Sequence, residues 1–577
     1  MSQPTPNKPS ELGTEVHALR RHLRSLMTLG FICSILSLTP SYYMLQVYDR
    51  VVNSRDELTL LMITFLALAA YVLMEILDWV RERIMHHAAI GFDEKLGQRL
   101  FNAVFDAGLR HGRSQIQALR DFRAFSDFIG SRAMQAVLDA PFSLFYLLLV
   151  FLIHPMLGVF TLVILIAQVM LTYRSEIKTQ KPLTEANRAG IAAQNYVGNT
   201  LRNAQVIESM GMIRAIYARW TKHQDEMLAK QAEASDHAGV NSAASKFMQQ
   251  MLSSGLLAMA AVFALAGTLN GGDAMMIVAS IIGAKALAPL VQLVAQWKAI
   301  VNARDSYGRL NQLLSAFPAR EAGMPLPRPQ GQLSVENVIA NAPGSQFPIL
   351  RGVNFSIAAG EALAIVGPSA SGKTSLARLL VGIWPAMSGK VRLDGADVFT
   401  WNKEELGPAI GYLPQGVELF DGTLAENIAR FGEADPAKLD DAVNLVGLKE
   451  LVDGLPDGLN TMIGEEGSFL SGGQRQRVAL ARAIYGNPSF VVLDEPNASL
   501  DQVGEQALLN TLAVLKQRGT TLVMITHRTS ILPVADKMLV LRDGLVQLFG
   551  PRDEVLAALA GKPKTAQAAP VPNPASA

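Results

Sequence analysis

The first 300 residues alternate between long apolar stretches and polar connections. Six apolar stretches are close to the roughly 20 residues that a helix needs to cross a bilayer; they cover residues 23–47, 59–80, 134–153, 156–173, 251–269 and 274–294. Buried helices of a soluble bundle would carry polar residues every three to four positions. These stretches are apolar nearly all round, so they predict six transmembrane helices. Only His154 and Pro155 separate the third from the fourth, which predicts a tight helical hairpin.

The charged connections predict which way these helices run. Basic residues are concentrated before the first stretch, between the second and third, and between the fourth and fifth. Cytoplasmic connections carry an excess of Lys and Arg, whereas the connections at 49–57, 154 and 270–273 are short or acidic. The pattern predicts six spans with both chain ends in the cytoplasm. The two long inside connections are long enough for helices that continue tens of ångströms beyond the bilayer and turn back, and we expect short coupling helices within them, near 113–128 and 206–220.

Composition agrees with a membrane protein. Half of the 577 residues are hydrophobic and the mean hydropathy is +0.22, which is high for a soluble protein. The net charge of +1 does not point to nucleic acid. Cys33 is the single cysteine and lies in the first stretch, which excludes a disulfide framework or a cysteine-rich metal cluster within one chain. The first stretch lacks a small-residue cleavage site, so we expect a retained helix.

Beyond residue 330 short apolar runs alternate with helical ones, and a glycine-rich loop joins two of them. The loop follows the strand-like run 362–366 and opens the helical run 375–383. This is the context that a phosphate-binding loop of the form GxxxxGK[ST] requires. The predicted nucleotide-binding residues here are Gly367, Pro368, Ser369, Ala370, Ser371, Gly372, Lys373, Thr374 and Ser375. Backbone N–H groups and Lys373 would bind the phosphates of ATP, and the Thr374 hydroxyl would bind Mg²⁺.

Two adjacent acids end a second apolar run. Residues 490–493 read as a central parallel strand, which would place Asp494 and Glu495 at its carboxyl end. Asp494 would hold Mg²⁺ and Glu495 would act as the catalytic general base that polarises the attacking water. Each acid alone could be a surface carboxylate, but the phosphate loop on the same chain weakens that alternative.

The fold class follows from these two halves. We predict a multidomain membrane protein with an all-α six-helix transmembrane domain followed by an α/β P-loop ATPase domain. The predicted boundaries are 1–19 for a disordered cytoplasmic tail, 20–315 for the transmembrane domain, 316–330 for a linker, 331–560 for the ATPase domain and 561–577 for a disordered tail.

In order and spacing these motifs resemble the nucleotide-binding domain of ABC transporters, over residues 333–556. Gln415 in YLPQ, Asp501 in SLD and His527 in MITHR also match that family's pattern. The resemblance implies that Gln415 couples the nucleotide and its Mg²⁺ to the membrane helices and that Asp501 lies in a cross-dimer loop. It implies that His527 is a catalytic residue that contacts the γ-phosphate. Without the family resemblance, a lone histidine after an apolar strand would more often be a capping or core residue.

The LSGGQ motif begins another predicted helix and forms a second candidate anion site. Its residues are Leu470, Ser471, Gly472, Gly473 and Gln474. In ABC transporters this signature faces the γ-phosphate held by the other subunit, and the chain carries one copy of each element. The resemblance therefore implies a homodimer with two composite sites. Residues 461–467 resemble the loop that touches the membrane domain in exporters, which favours export over import.

One feature departs from the family. ABC exporters usually place an aromatic residue about 25 positions before the phosphate loop, in a pattern like FxYPG, and it stacks on adenine. Here residues 340–344 read ANAPG, so this aromatic is missing. Phe347 could replace it, although a loop phenylalanine that packs on its own domain is the expected arrangement. Loss of a stacking aromatic would loosen ATP by about 1–3 kcal/mol without abolishing phosphate binding.

The membrane half resembles the type I secretion permease/ATPases of Gram-negative bacteria. The stretches that carry the resemblance are 45–51, 118–122, 138–142, 151–155 and 202–212, together with DEPNASLD at 494–501. The resemblance implies ATP-driven export of unfolded polypeptides with a C-terminal signal from the bacterial inner membrane. It also implies a periplasmic membrane-fusion adaptor, an outer-membrane channel, contact with membrane lipid, and ATP and Mg²⁺ as cofactors. Some relatives carry an N-terminal peptidase domain; only a tail precedes the first span here, so we expect uncleaved protein substrates.

Two other functions remain open. An exporter of lipids or small molecules with the same architecture would respond to lipid headgroups and never to a C-terminal polypeptide. A membrane-tethered regulatory ATPase would leave export intact when Glu495 is replaced by glutamine.

Overall fold

The computed structural model describes residues 11–18, 20–52, 54–111, 116–201, 203–269, 274–319, 324–342, 345, 347–464, 467 and 469–561. The chain forms two compact units. A helical unit comprises residues up to 319 except 109–112, and an α/β unit comprises 109–112 and the residues from 320 onwards.

Twelve α-helices make up the described part of the helical unit. They are α1 (Glu11–Ala18), α2 (Arg20–Leu36), α3 (Thr39–Gln46), α4 (Glu57–His111), α5 (Ile116–Ile129), α6 (Arg132–Asp139), α7 (Ser143–Ile153), α8 (Pro155–Leu201), α9 (Ala204–Ser209), α10 (Ile213–Leu265), α11 (Met275–Ala295) and α12 (Trp297–Ala316). Six helices or helix runs in the described residues are long and apolar enough to cross a membrane. The predicted count of six spans is therefore confirmed by length and composition.

Three predicted spans are parts of much longer helices. The span 59–80 lies within α4, 156–173 lies within α8, and all but the last four residues of 251–269 lie within α10; these helices have 55, 47 and 53 residues, and so continue beyond the apolar spans as expected. At 1.5 Å per residue a helix of this length is about 70–80 Å long, more than twice the thickness of the bilayer core. The predicted limits fall where charged residues begin, but polar residues on an exposed face do not end a helix.

Proline interrupts two other spans. The predicted helix 23–47 is α2 and α3 joined by a turn, and Pro40 lies in the first turn of α3. The predicted helix 134–153 is α6 and α7 joined by the 3₁₀ turn Ala140–Phe142, which contains Pro141. Proline has no N–H to donate to the preceding turn, so the helix is broken there. The sixth helix, predicted at 274–294, is α11, and the hairpin between α7 and α8 turns at His154 as predicted.

The N-terminal tail differs from expectation, whereas both segments predicted to hold coupling helices contain a helix. Residues 11–18, predicted to be disordered, form α1, and its Leu12 is buried in an apolar cluster with Phe92 of α4. Phe122 of α5 stacks on Phe92 with ring centroids 5.6 Å apart, so α5 packs within the helix bundle, and the coupling role of 113–128 stays a prediction. Between 206 and 220 only α9 is short, since α10 begins at Ile213. Residues 1–10, 113–115 and 562–577 lie outside the described residues.

The α/β unit contains two sheets. Its strands are β1 (Leu333–Asn341), β2 (Pro348–Ile357), β3 (Ala362–Val366), β4 (Ser388–Leu393), β5 (Ala396–Asp397), β6 (Ile410–Leu413), β7 (Phe490–Asp494), β8 (Thr521–Ile525), β9 (Lys537–Arg542) and β10 (Leu545–Pro551). Its helices are α13 (Lys373–Leu380), α14 (Lys403–Leu406), α15 (Leu424–Ile428), α16 (Pro436–Leu445), α17 (Lys449–Gly454), α18 (Gly472–Ile484), α19 (Gln502–Gln517) and α20 (Arg552–Leu559).

The larger sheet positions the candidate site. Its order is β10-β9-β3-β8-β7-β6, and every pair from β9 to β6 is parallel. Strands β7 and β8 are completely buried, as expected for central strands covered on both faces. The carboxyl ends of parallel strands meet at one edge of a sheet. The loops after β3, β6, β7 and β8 therefore lie side by side. The smaller sheet is antiparallel, with the order β2-β1-β4-β5.

Candidate active site

The phosphate loop joins β3 to α13 as predicted. Gly372 has the left-handed φ of 99° that glycine favours, and a Cβ at Gly367 would collide with the carbonyl oxygen of Leu541. Both positions therefore require glycine. Lys373 begins α13 and is only 6% exposed, and its Nζ donates to the carbonyl oxygens of Gly367 at 2.9 Å and Pro368 at 2.8 Å. The side chain of Lys373 thus bonds back to the first residues of the phosphate loop.

Lys373 also interacts electrostatically with the two acids at the end of β7. Burial lowers the pKa of its ammonium group, while the charges of Glu495 and Asp494 act in the opposite direction. This interaction requires the loop after β3 and the end of β7 to be close together. The hydroxyl of Ser371 is buried and has no hydrogen-bond partner within the described part of the chain. The loop therefore holds a polar group that is available to a ligand.

Asp494 has the features of a metal ligand. It is 0% exposed, and neither of its carboxylate oxygens has a hydrogen-bond partner among the described residues. Burial raises the pKa of this carboxyl, and the Thr374 hydroxyl, close by but outside hydrogen-bond geometry, lowers it. A buried carboxylate without a partner is costly unless a cation neutralises it. Asp494 and Thr374 therefore fit a divalent cation with oxygen ligands.

Two predicted residues from distant parts of the sequence contact a third, Glu495. The Nε2 of Gln415, which follows β6, donates to Oε2 of Glu495 at 3.1 Å. The Nε2 of His527, which follows β8, lies 3.3 Å from Oε1 of Glu495. We call Gln415, Glu495 and His527 the catalytic cluster. The glutamate has one neighbour on each carboxylate oxygen, so its side chain is held in one direction.

The backbone at Glu495 is held by a residue that the sequence did not reveal. Glu495 has a left-handed φ of 51°, which is unusual for a residue with a side chain. Its N–H donates to the carbonyl oxygen of Ile525 at 2.9 Å. Gln476 of α18 is buried and its Nε2 donates to the carbonyl oxygens of Pro496 at 3.0 Å and Glu495 at 3.4 Å. A polar residue on the buried face of α18 was the signal that could have identified it.

The signature segment, residues 470–474, is at the start of α18. Ser471 is the N-cap, and its Oγ accepts from the N–H of Gln474 at 3.3 Å while Oε1 of Gln474 accepts from the N–H of Ser471 at 2.8 Å. This capping box orients the first turn of the helix. Leu470 is buried, whereas Ser471 and Gly472 are exposed. Among the described residues, no hydrogen bond or ion pair joins this segment to the phosphate loop.

The loop of residues 496–501 lies beside the signature segment. A Cβ on Gly473 would be 3.0 Å from the carbonyl oxygen of Ser499, so glycine permits this approach. Asp501 caps α19, and its side chain accepts from the N–H of Gly504 at 2.8 Å. The side chain of Asp501 therefore has a structural partner within the chain. Its predicted contact across a dimer stays a prediction.

Phe347 is not packed on its own domain, so the expected arrangement was wrong. Its side chain is 81% exposed and follows a turn in which its N–H donates to Oγ of Ser345 at 3.2 Å. It lies two residues before Ile349, which contacts the phosphate loop at Gly372. An exposed aromatic ring near this loop is available to stack on a base. Residues 343, 344 and 346 lie outside the described residues.

Thr461 and Ile463, in the run 461–467, bond to the start of α15 and to the residues just before it. The N–H of Leu424 donates to the carbonyl oxygen of Thr461 at 3.1 Å, and the N–H of Ile463 donates to that of Gly422 at 3.1 Å. Residues 465 and 466 are not among the described residues. The proposed contact of this run with the membrane domain stays a prediction.

Comparison with known proteins identifies the family. The chain is 40% identical over 526 residues to the type I secretion system ATP-binding protein PrsD of Rhizobium meliloti (strain 1021), with coverage of 91% of this chain and 90% of the relative. The chain is a type I secretion ABC transporter. The family description "ABC transporter transmembrane region" matches residues 25–284, and "ABC transporter" matches residues 350–498.

More distant relatives agree with this family. The toxin RTX-I translocation ATP-binding protein of Actinobacillus pleuropneumoniae is 28% identical, with coverage of 90% of this chain and 74% of that protein. The leukotoxin translocation ATP-binding protein LktB of Mannheimia haemolytica is 26% identical, with coverage of 92% and 76%. A bacterial Atm1-family ABC exporter with ATP bound has the same fold, with a TM-score of 0.81, 23% identity and coverage of 96% and 99%.

As an ABC transporter, the chain combines a six-helix membrane unit with an ATPase unit, as predicted. Its ATPase domain binds nucleotide and couples ATP hydrolysis to transport. The matched range of this domain contains the phosphate loop, Gln415, the signature segment and the Asp494–Glu495 pair. His527 and Asp501 lie beyond that range, and the contact between His527 and Glu495 connects the first of them to the site.

Proposed function

We propose that this ABC transporter exports unfolded polypeptides with a C-terminal signal across the bacterial inner membrane. The observation that carries the proposal is the full-length similarity to a type I secretion protein, on a chain that also contains a complete catalytic cluster. Two further relatives are named for translocation of a toxin and a leukotoxin. A polypeptide is therefore the substrate class that the relatives support.

The catalytic cluster supplies the chemistry of hydrolysis. Glu495 is the general base that takes a proton from the attacking water, and Gln415 and His527 hold its two oxygens. His527 would also contact the γ-phosphate, as the family resemblance implies. Lys373 and the N–H groups of residues 367–375 bind the phosphates. Asp494, Thr374 and Gln415 are the residues that would hold a Mg²⁺ bound with ATP, and the ion would neutralise phosphate charge.

A second copy of the chain completes each ATP site. The signature segment has an exposed, capped helix start, which is a suitable anion site for a γ-phosphate. Its neighbour is the loop with Ser499, so both would lie at the same dimer interface. The functional form is a homodimer in which each phosphate loop faces the signature of the other copy, with Asp501 near the interface.

The remaining components follow from one-step export. Both chain ends and the ATPase unit lie in the cytoplasm, and the six spans lie in the inner-membrane lipid. A periplasmic membrane-fusion adaptor and an outer-membrane channel continue the path to the exterior. Nucleic acid has no role in this scheme.

A comparison of secreted proteins tests the proposal. Culture-medium proteins are identified by mass spectrometry in cells with the intact protein, cells with Glu495→Gln and cells with Glu404→Gln, an exposed glutamate on α14. We expect Glu495→Gln alone to remove one or a few proteins that lack an N-terminal signal peptide. An unchanged set of secreted proteins with altered membrane lipids would overturn the proposal in favour of a lipid exporter. No change in either would favour a regulatory ATPase.

A further inference from the structure

A polar cleft lies between four helices of the helical unit, apart from the ATP site. It has a volume of about 350 Å³ and is lined by residues of α5, α8, α10 and α12. On α8 and α10 these residues belong to the polar parts of the helices, and α12 begins after the last apolar span. The cleft is therefore outside the predicted bilayer region. Its α5 wall contains Arg120 and Asp121, from one of the stretches that resemble type I secretion proteins.

The cleft has an excess of positive charge. Its lining contains three cations, Arg120, Lys298 and Arg309, and one carboxylate, Asp121, which gives a net charge of +2. Asp121 is 4% exposed and is neutralised by Arg309, whose Nε and Nη2 donate to it at 2.7 and 2.8 Å. The Nε2 of Gln117 also donates to Asp121 at 2.9 Å. The carboxylate of Asp121 is thus already paired with donors of the protein itself.

Two cations remain without a carboxylate partner. The guanidinium group of Arg120 donates to the amide oxygen of Gln194, and within the described residues it has no ion pair. Lys298 has neither a hydrogen bond nor an ion pair there. A negatively charged ligand in the cleft would therefore meet two cations that no carboxylate of the protein already neutralises. Such charge-assisted contacts are stronger than neutral hydrogen bonds.

Amide side chains line the rest of the polar wall. Asn187 donates from Nδ2 to Oδ1 of Asn302 at 2.8 Å, and this pair joins α8 to α12. Within the described structure, the oxygen of Asn187, the NH₂ group of Asn302 and the side chain of Gln231 on α10 have no further hydrogen-bond partner. Each amide offers both donors and acceptors, as a peptide backbone does. Among the described lining residues there is no aromatic ring on which a nucleotide base could stack.

We propose that this cleft binds the C-terminal end of the exported polypeptide, with Lys298 and Arg120 on its carboxylate and Asn187, Asn302 and Gln231 on its backbone. The volume is near the lower end of the 300–1,000 Å³ typical of ligand pockets. It suits a few extended residues and excludes a folded domain. The inference rests on the proposed function, because it assigns a binding site to the same substrate.

Peptide binding to the full-length protein in lipid nanodiscs tests the site. The probe is a fluorescein-labelled peptide of the last 20 residues of the protein whose secretion requires Glu495. It is made with a free carboxylate and with an amidated end. We expect Lys298→Gln to weaken binding of the free-carboxylate peptide on the order of tenfold, the usual scale for one charge-assisted contact. The same variant should leave binding of the amidated peptide and basal ATP hydrolysis unchanged.

Matched variants separate recognition from general damage. Lys181→Gln removes the same charge from an exposed position of α8 outside the cleft and should bind like the intact protein. Lys298→Arg should restore binding, and Asn187→Ala should weaken both peptides. Thermal unfolding of each variant checks folding independently of binding.

Several results would overturn the inference. Equal binding by Lys298→Gln, Asn187→Ala and the intact protein would exclude the cleft as the site. Equal binding of the two peptide ends to the intact protein would exclude recognition of the C-terminal carboxylate. If Glu495→Gln removes no secreted protein, the proposed function fails, and this inference fails with it. A secreted protein whose peptide ignores the cleft variants would overturn the inference alone.

Discussion

The catalytic cluster and the signature segment are proposed parts of an ATP site, and they differ in how many contacts they make within one chain. Gln415 and His527 contact Glu495 from separate loops, so the cluster is assembled within a single chain. Ser471 and Gln474 bond only to each other and to their own helix in the described structure. Folding of one chain is thus enough to assemble the catalytic cluster, whereas the start of the signature helix stays exposed on the surface.

This difference explains how hydrolysis can depend on assembly. The sheet fixes the cluster because the ends of β6, β7 and β8 meet at one edge. The start of the signature helix is capped but exposed, so under the proposal its anion site would gain a ligand only when a second copy brings one. An ATP site of this kind would be active only in the assembled dimer.

The largest expected effect is at the cluster itself. If Glu495 is the proposed general base, replacing it with glutamine removes the base while its neighbours Gln415 and His527 remain. Loss of a general base lowers the hydrolysis rate by about 10²–10⁴-fold. Phosphate release should fall by this factor, whereas filter binding of radiolabelled ATP should be retained. The exposed variant Glu404→Gln should hydrolyse normally, and a Glu495→Gln protein that also does so would mean that another residue is the base.

His527→Ala should have a smaller effect on the same cluster. The variant loses one of the two side chains that hold Glu495, but the base itself remains. We expect hydrolysis to fall by about 10–10²-fold, below the effect of losing the base. Measured phosphate release at saturating ATP separates this loss from weaker binding. An unchanged rate would place His527 outside the catalytic cluster.

A third prediction concerns Phe347 and whether its ring stacks on the adenine of ATP. If Phe347 stacks on the base, Phe347→Ala should raise KM for ATP by about 5–150-fold, because stacking is worth about 1–3 kcal/mol. The maximal rate should not change. Phe347→Tyr keeps an aromatic ring and should behave like the intact protein. Equal KM values for all three proteins would show that this exposed ring does not touch the nucleotide.

Sequence patterns predicted the parts of the molecule that depend on local chemistry. The phosphate loop, the acids after β7 and the signature helix start were all found from residue types at fixed spacing. The number of spans followed from apolar length. These features depend on a few neighbouring residues, so a single chain is enough to recognise them.

Features that depend on packing could not be predicted in the same way. Continuation of the helices beyond the bilayer was expected from the length of the inside connections, but the residues at which α4, α8 and α10 begin and end were not predicted. The role of Gln476 depends on which face of α18 is buried. Phe347 and the ion pair of Asp121 with Arg309 depend on long-range geometry, which residue spacing does not reveal.

The smallest expected effect concerns stability at the metal end of the site. Burial raises the pKa of Asp494 in the folded state, so its ionised form costs free energy there. At neutral pH, Asp494→Asn should therefore increase the free energy of unfolding of the nucleotide-free protein, by about 1–3 kcal/mol. The gain should shrink as the pH falls towards about 4, where the unfolded carboxyl is protonated.

Unfolding curves with and without ligand check this prediction. MgATP should stabilise the intact protein more than the Asn variant, since the variant lacks a metal-binding carboxylate. A destabilised variant without nucleotide would mean that Asp494 has a structural partner in the folded protein.

The most direct test of the shared site uses two copies joined as a tandem dimer, with Glu495→Gln and Ser471→Arg placed in opposite halves or in the same half. If each site combines the cluster of one copy with the signature of the other, the opposite arrangement keeps one intact site and the same-half arrangement keeps none. We therefore predict ATP hydrolysis from the first dimer and almost none from the second. Hydrolysis only by the same-half dimer would show that each chain forms its own site, and would contradict the account.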